Sequence, residues 1–165
     1  MLIVFSGLPG SGKTTLARAL ASQLRVTYLR IDTIEQTLRN GGLAEVGKAG
    51  YEVAIALARS NLALGNWVVA DCVNPLAESR QAWQGAAEAE QRPLLNIEVV
   101  CRDVAEHRRR VETRAADVPG LRPPSWQSVL DHDYQAWTGE RLTLDSSRLS
   151  PAEVVRIIVS RLEAL

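Results

Sequence analysis

The chain is poor in the residues that mark special environments. Two cysteines in 165 residues, Cys72 and Cys101, are too few for a disulfide framework or a zinc cluster. Both lie in apolar, strand-like runs, as buried thiols of a reducing compartment do. The two histidines, His107 and His132, are isolated and lack metal-ligand spacing. No stretch approaches the roughly 20 apolar residues of a membrane span. The opening apolar run, Leu2 to Phe5, is too short for a signal peptide. Charge of one sign is not in excess either: Lys plus Arg and Asp plus Glu each number 19, so no basic field advertises a nucleic-acid partner. There is no internal repeat, linker or low-complexity segment. These absences point to a cytoplasmic single domain over residues 1–165, a monomer or homodimer, with no room for a second full domain. One fold must hold every ligand.

Glycine, sparse elsewhere, is concentrated where it matters. Residues Gly7, Leu8, Pro9, Gly10, Ser11, Gly12, Lys13 and Thr14, followed by Thr15, stand between an apolar strand and an amphipathic helix. In that frame glycines let backbone N–H groups curl around an anion while the next helix directs its positive end at the same point. Lys13 is then expected to reach β- and γ-phosphates and Thr14 to hold Mg²⁺, making this segment the cradle for a nucleoside triphosphate such as ATP.

Periodicity supplies the rest of the fold. Leu16, Leu20 and Leu24 mark a helix from Lys13 to about Arg25; Val26 to Ile31 reads as a second strand ending at Asp32. Thr33 to Arg39 reads as helix, broken by Asn40-Gly41-Gly42, and a longer helix runs from Gly50 to Gly65-Asn66. Trp67 to Ala70 is a third strand ending at Asp71, and Pro75 suits the first turn of a helix carrying Arg80 and Trp83. Leu94 to Cys101 is a fourth strand, and Asp103 can cap the charged helix that follows. Residues 115–124, rich in proline, form a short lid; Ser125 to Trp137 reads as helix, Arg141 to Leu144 as a fifth strand, and Ser150-Pro151 opens the last helix. Strands alternating with helices imply an α/β fold: a three-layer sandwich around a five-stranded parallel sheet, with ligands at the carboxyl ends of the strands.

Two carboxylates end strands on that edge. Asp32 and Asp71 are expected to face the γ-phosphate, one acting on an attacking hydroxyl and the other holding metal; spacing leaves open which does which, and either can instead cap a helix. Arg110 and Arg114, four residues apart before the lid, can swing over the phosphates, or can pair with Glu106 and Glu112 on a solvated face. Asn74 and Arg80 follow the third strand and are expected to bind the acceptor, with Trp83 as an apolar wall or a core aromatic.

Taken together, the loop and the segments G-Y-E-V-A, D-C-V-N-P, W-Q-G-A-A, R-R-R-V-E-T-R, D-V-P-G-L and P-S-W-Q-S-V-L resemble the small P-loop kinases of the nucleoside-monophosphate-kinase type. These include gluconate kinase, adenylylsulfate kinase, chloramphenicol phosphotransferase and polynucleotide 5′-hydroxyl kinases, and the resemblance spans essentially the whole chain. It implies a P-loop fold and an ATP- and Mg²⁺-dependent transfer of a phosphoryl group to a hydroxyl of a small molecule. It also implies Lys13, Asp32, Arg110 and Arg114 as catalytic, Asp32 as the base, Asp71 beside Thr14 at the metal, and Asp145-Ser146-Ser147-Arg148 near adenine. A nucleotide or polynucleotide acceptor, or a nucleotide-hydrolysing switch, are the alternatives. The lid lacks zinc-binding cysteines, and no matched pair of acceptor-phosphate arginines stands out, so the acceptor is left undefined.

Overall fold

The computed structural model describes residues 1–163. Strand β1 (Leu2–Ser6) is buried along its whole length, as a strand covered on both faces must be. It is followed by α1 (Lys13–Leu24), β2 (Thr27–Arg30), α2 (Ile31–Asn40), α3 (Ala49–Ala63), β3 (Val68–Asp71) and α4 (Ala77–Ala89). The second half adds β4 (Leu94–Val100), α5 (Val104–Thr113), α6 (Trp126–Leu130), β5 (Leu142–Asp145) and α7 (Pro151–Glu163). All strands are parallel, in the order β2-β3-β1-β4-β5. The chain leaves β1 toward one edge and later crosses back to the other, so a crevice opens at the carboxyl end of β1, where the glycine-rich loop begins.

The two faces of β1 explain the two-sided core. Ile3 and Phe5 pack with Leu16 and Leu20 of α1 and with Val154 and Ile158 of α7. Leu2 and Val4 face the other way, against Ala54, Ala58 and Leu62 of α3 and Trp83 of α4. Trp83 is fully buried, so it is a core aromatic and not a pocket wall. Helix α7 opens on a reciprocal cap: Glu153 Oε2 accepts the Ser150 N–H at 2.8 Å, and the Ser150 hydroxyl accepts the Glu153 N–H at 3.4 Å. Among the described residues no helix is long and apolar enough to cross a membrane.

The sequence and the structure part in three places. Asp32 does not end a strand: β2 stops at Arg30 and Asp32 lies in the first turn of α2. Pro75 precedes α4, whose capping residue is Leu76. The helix expected from Ser125 to Trp137 ends at Leu130. The reason for the last is Arg80, whose guanidinium takes the carbonyls of Gln135 at 2.7 Å and Ala136 at 3.1 Å. The Gln135 N–H donates to Pro75 at 2.9 Å. Backbone groups used this way cannot continue a helix. Tyr134 and Trp137, which suggest a helical face by spacing, lie against the Arg80 cation at 5.2 and 4.2 Å.

Candidate active site

The loop after β1 is shaped by close approaches. Gly7, at φ +148°, lies so near the Val99 carbonyl that a Cβ would collide with it, and Gly10, at φ +80°, lies equally near Val111 of α5. Gly12 caps α1 without a side chain, which leaves the first-turn N–H groups of a 12-residue helix unoccupied and pointing into the crevice. Lys13 is 4% exposed and joins no ion pair among the described residues. A buried ammonium without a counter-charge costs several kcal/mol, roughly.

Two cavities meet at this lysine. One, of about 360 Å³, is bounded by the loop and by Arg109, Arg110 and Thr113 of α5, and is in the size range of small-molecule sites. The other, of about 80 Å³, holds Asp32 and is roofed by Leu121, Arg122, Pro123 and Pro124 of the lid. Lys13 and Arg114 line both.

The carboxylates differ in their surroundings. Asp71 is buried at the end of β3, level with Phe5 and Arg30. Its Oδ2 accepts the Tyr28 hydroxyl at 2.7 Å, and its Oδ1 is buried with no protein partner. Burial, and then the Asp71 charge, push the Tyr28 hydroxyl well above its ordinary pKa, so it stays a donor. Asp32 has 28% of its side chain exposed and accepts only from Arg30, at 3.2 Å; it makes no capping bond at the start of α2. The capping role open to it on sequence grounds is therefore unused.

Arg30 and the lid tie these groups together. The Arg30 side chain is 2% exposed and is gripped from three directions, by Asp32, by Asp71 at 3.8 Å and by Asp117 at 2.7 and 3.1 Å. Burial opposes its charge, yet the three carboxylates outweigh burial and raise its pKa. Asp117, from the lid, also pairs with Arg18 at 3.0 Å and Arg114 at 3.4 Å. Hydrogen bonds from Arg30 hold its carboxyl well below the usual carboxylate range. Asn40 of α2 donates to the Pro119 carbonyl at 3.4 Å, so the lid rests closed on α2. Residues 114–125 carry no helix or strand.

The two arginines before the lid separate. Arg114 turns toward the junction of the cavities, whereas Arg110 bonds Glu106 at 2.7 Å and the hydroxyl and carbonyl of Ser146 at 2.8 and 3.1 Å. Asn74 and Arg80, expected at the acceptor, are turned inward. Asn74 is fully buried, donating to Ser6 at 3.0 Å and accepting from Ser79 at 2.8 Å. Arg80 is consumed by the carbonyls described above, and the residue of this segment that lines the acceptor-side cavity is Val73. A further groove, about 710 Å³, lies at the amino ends of β4 and β5. Arg141 pairs there with Glu98 and Arg161 with Glu140, while Arg80 and Arg92 donate to backbone carbonyls. Nothing in the sequence singles out Arg18 or Arg30; Asp117 stands there only as part of the proline-rich lid, His107 only as an isolated histidine without metal-ligand spacing, and Ser146 only in the turn that the resemblance puts near adenine.

Comparison with known proteins fits this architecture. Residues 2–123 match the family described as AAA domain, and the chain belongs to that family. A protein of Chloroflexus aurantiacus solved as a candidate kinase is similar at 22% identity, covering 99% of this chain and 96% of that one, with a TM-score of 0.78. Kti12 of Chaetomium thermophilum, in complex with ADP-AlF3, is 22% identical over 99% and 98% of the two chains, TM-score 0.72. The Mycobacterium tuberculosis APS kinase CysC, in complex with AMPPNP and APS, is 20% identical over 98% and 96%, TM-score 0.69. No curated protein matches in sequence. The fold is that of the P-loop kinases of the nucleoside-monophosphate-kinase type.

Proposed function

We propose that the protein is a kinase that transfers the γ-phosphoryl group of ATP to a hydroxyl of a compact small molecule. The observation that carries this reading is the pair of cavities that share Lys13 and Arg114 in their linings, one bounded by the phosphate loop and the other holding the Asp32 carboxylate, whose one bond is to Arg30. A hydrolase needs only the first. The APS kinase and Kti12 complexes hold a nucleotide or its transition-state mimic on the same fold, which supports the loop as the nucleotide site.

The loop amides and Lys13 would bind the β- and γ-phosphates. Asp32 would orient the acceptor hydroxyl and take its proton as the new oxygen–phosphorus bond forms and the bond to the β-phosphate oxygen breaks. Arg114 would neutralise charge on the group in transit. The donor set also fits a divalent cation: Asp71 Oδ1 is buried without a partner, and the Thr14 hydroxyl bonds no side chain or backbone group among the described residues. Thr14 and Asp71 would hold Mg²⁺, which supplies charge neutralisation at the phosphate oxygens when bound. The closed lid and the apolar faces of Leu121, Pro123 and Pro124 would keep water from the phosphoryl group. Two buried free thiols suit a cytoplasmic setting.

The test is a coupled ADP-release screen over sugars, nucleosides, amino alcohols and antibiotics with the wild-type protein and Asp32→Asn. Acceptor-dependent release lost in the variant supports transfer. Release that ignores every acceptor, and survives in Asp32→Asn, points to hydrolysis instead.

A further inference from the structure

A phosphate cradle needs its N–H groups turned inward, and in a trans peptide that requires the carbonyl of the same unit to point outward. Among the described residues there is no cis peptide bond. Two outward carbonyls of the loop are held. His107, 8% exposed on α5, places Nε2 at 2.8 Å from the Pro9 carbonyl, whose peptide unit carries the Gly10 N–H. Ser146, in the turn after β5, donates its hydroxyl to the Ser11 carbonyl at 2.6 Å, and that unit carries the Gly12 N–H. Since the Pro9 oxygen can only accept, His107 carries its proton on Nε2. Trp126 fixes the ring plane from the other side, edge to face at 5.2 Å and 80°. Arg110 fixes the Ser146 hydroxyl by donating to it at 2.8 Å.

We infer that His107 and Ser146 are positioning residues of the phosphate site, aiming the Gly10 and Gly12 N–H groups at the bound polyphosphate from outside the loop. Neither touches the phosphates. Both are set by α5, His107 directly and Ser146 through Arg110, three residues further along the same helix. The inference rests on the reading that the loop holds a nucleotide's phosphates, and its test is arranged to separate the two.

Sodium tripolyphosphate and adenosine are each titrated calorimetrically into the full chain and its variants. His107→Phe keeps an aromatic against Trp126 but has no donor; tripolyphosphate affinity falls about tenfold, the effect of misaiming one charge-assisted hydrogen bond, while adenosine affinity is unchanged. His107→Gln restores a donor near the Nε2 position and recovers affinity to within about twofold, the outcome that a packing role would not produce. Ser146→Ala weakens tripolyphosphate by a similar factor and keeps the proposal testable should His107→Phe not fold. Wild-type affinity in His107→Phe, or a Gln variant as weak as the Phe variant, overturns the inference. In Lys13→Ala, run in parallel, tripolyphosphate binding is expected to be lost; its retention would overturn the phosphate-loop reading itself.

Discussion

The two chambers on either side of Lys13 are built in opposite ways. The larger is bounded on one side by a single run, Gly10 to Thr15 with Arg18, whose backbone does most of the work. The smaller is assembled from separate pieces: Pro9, Asp32, Val73, Arg114 with Ala116, and the lid tip from Leu121 to Pro124. A continuous backbone site of this kind admits no added side chain where the chain makes close approaches, as at Gly7 and Gly10. A site assembled from scattered side chains can alter one wall at a time. On the proposed function, binding of the phosphate donor and choice of acceptor are separable, and substitutions should sort accordingly.

The largest effect is expected at the shared wall. Lys13→Ala should lower phosphoryl transfer about 10⁴-fold, because no neighbouring cation replaces its charge at the transferring group, and ADP release should show this. Asp32→Asn comes next. It should leave ATP affinity intact while single-turnover transfer falls about 10²- to 10⁴-fold; near-normal transfer would move the base to Asp71. Arg114→Ala should cost kcat about 10²-fold with little change in ATP binding, since its charge faces the junction of the chambers. Arg110→Ala, whose side chain is turned to Ser146, should cost only about tenfold. If the two arginine variants behave alike, the contrast drawn between them is wrong.

Outside both chambers the kinetics should not move. Arg80→Ala should lower stability by about 2 kcal/mol through lost charge-assisted bonds to backbone carbonyls, measured by thermal unfolding, with KM for ATP unchanged. The smallest effect concerns the lid. Asp117 has a folded pKa below its ordinary 3.8, so the stability it contributes is full above that value and is lost as pH falls through the depressed one. Proteolysis within residues 115–124 should therefore stay constant from about pH 8 to 5 and rise only below about pH 4.

The same contrast explains what could be read from residues alone. The phosphate loop, the order of strands and helices and the short lid follow from glycine spacing and hydrophobic period, and the structure contains each of them. The acceptor side resisted. Asn74 and Arg80 have the chemistry of ligand contacts, but the buried amide must find partners and the half-buried guanidinium has found them, and here Ser6, Ser79 and backbone carbonyls supply them. Nothing local could reveal that Arg30 meets Asp117, 87 residues away. The helix expected through Trp137 failed for the same reason: its periodic aromatics served a long-range cation.

The turn after β5 carries one more consequence. The span matching the AAA domain family ends at residue 123, yet Ser146, which holds a loop carbonyl, lies beyond it. So do Leu144, Val154, Val155 and Ile158, which close the core over α1. A fragment ending at 123 would strip α1 of its cover and turn β4 into a bare edge strand, open to pairing with other chains. The recognisable motif and the cooperative folding unit are therefore different objects in this protein. Excising the first without the second should yield aggregate, not a smaller nucleotide-binding module.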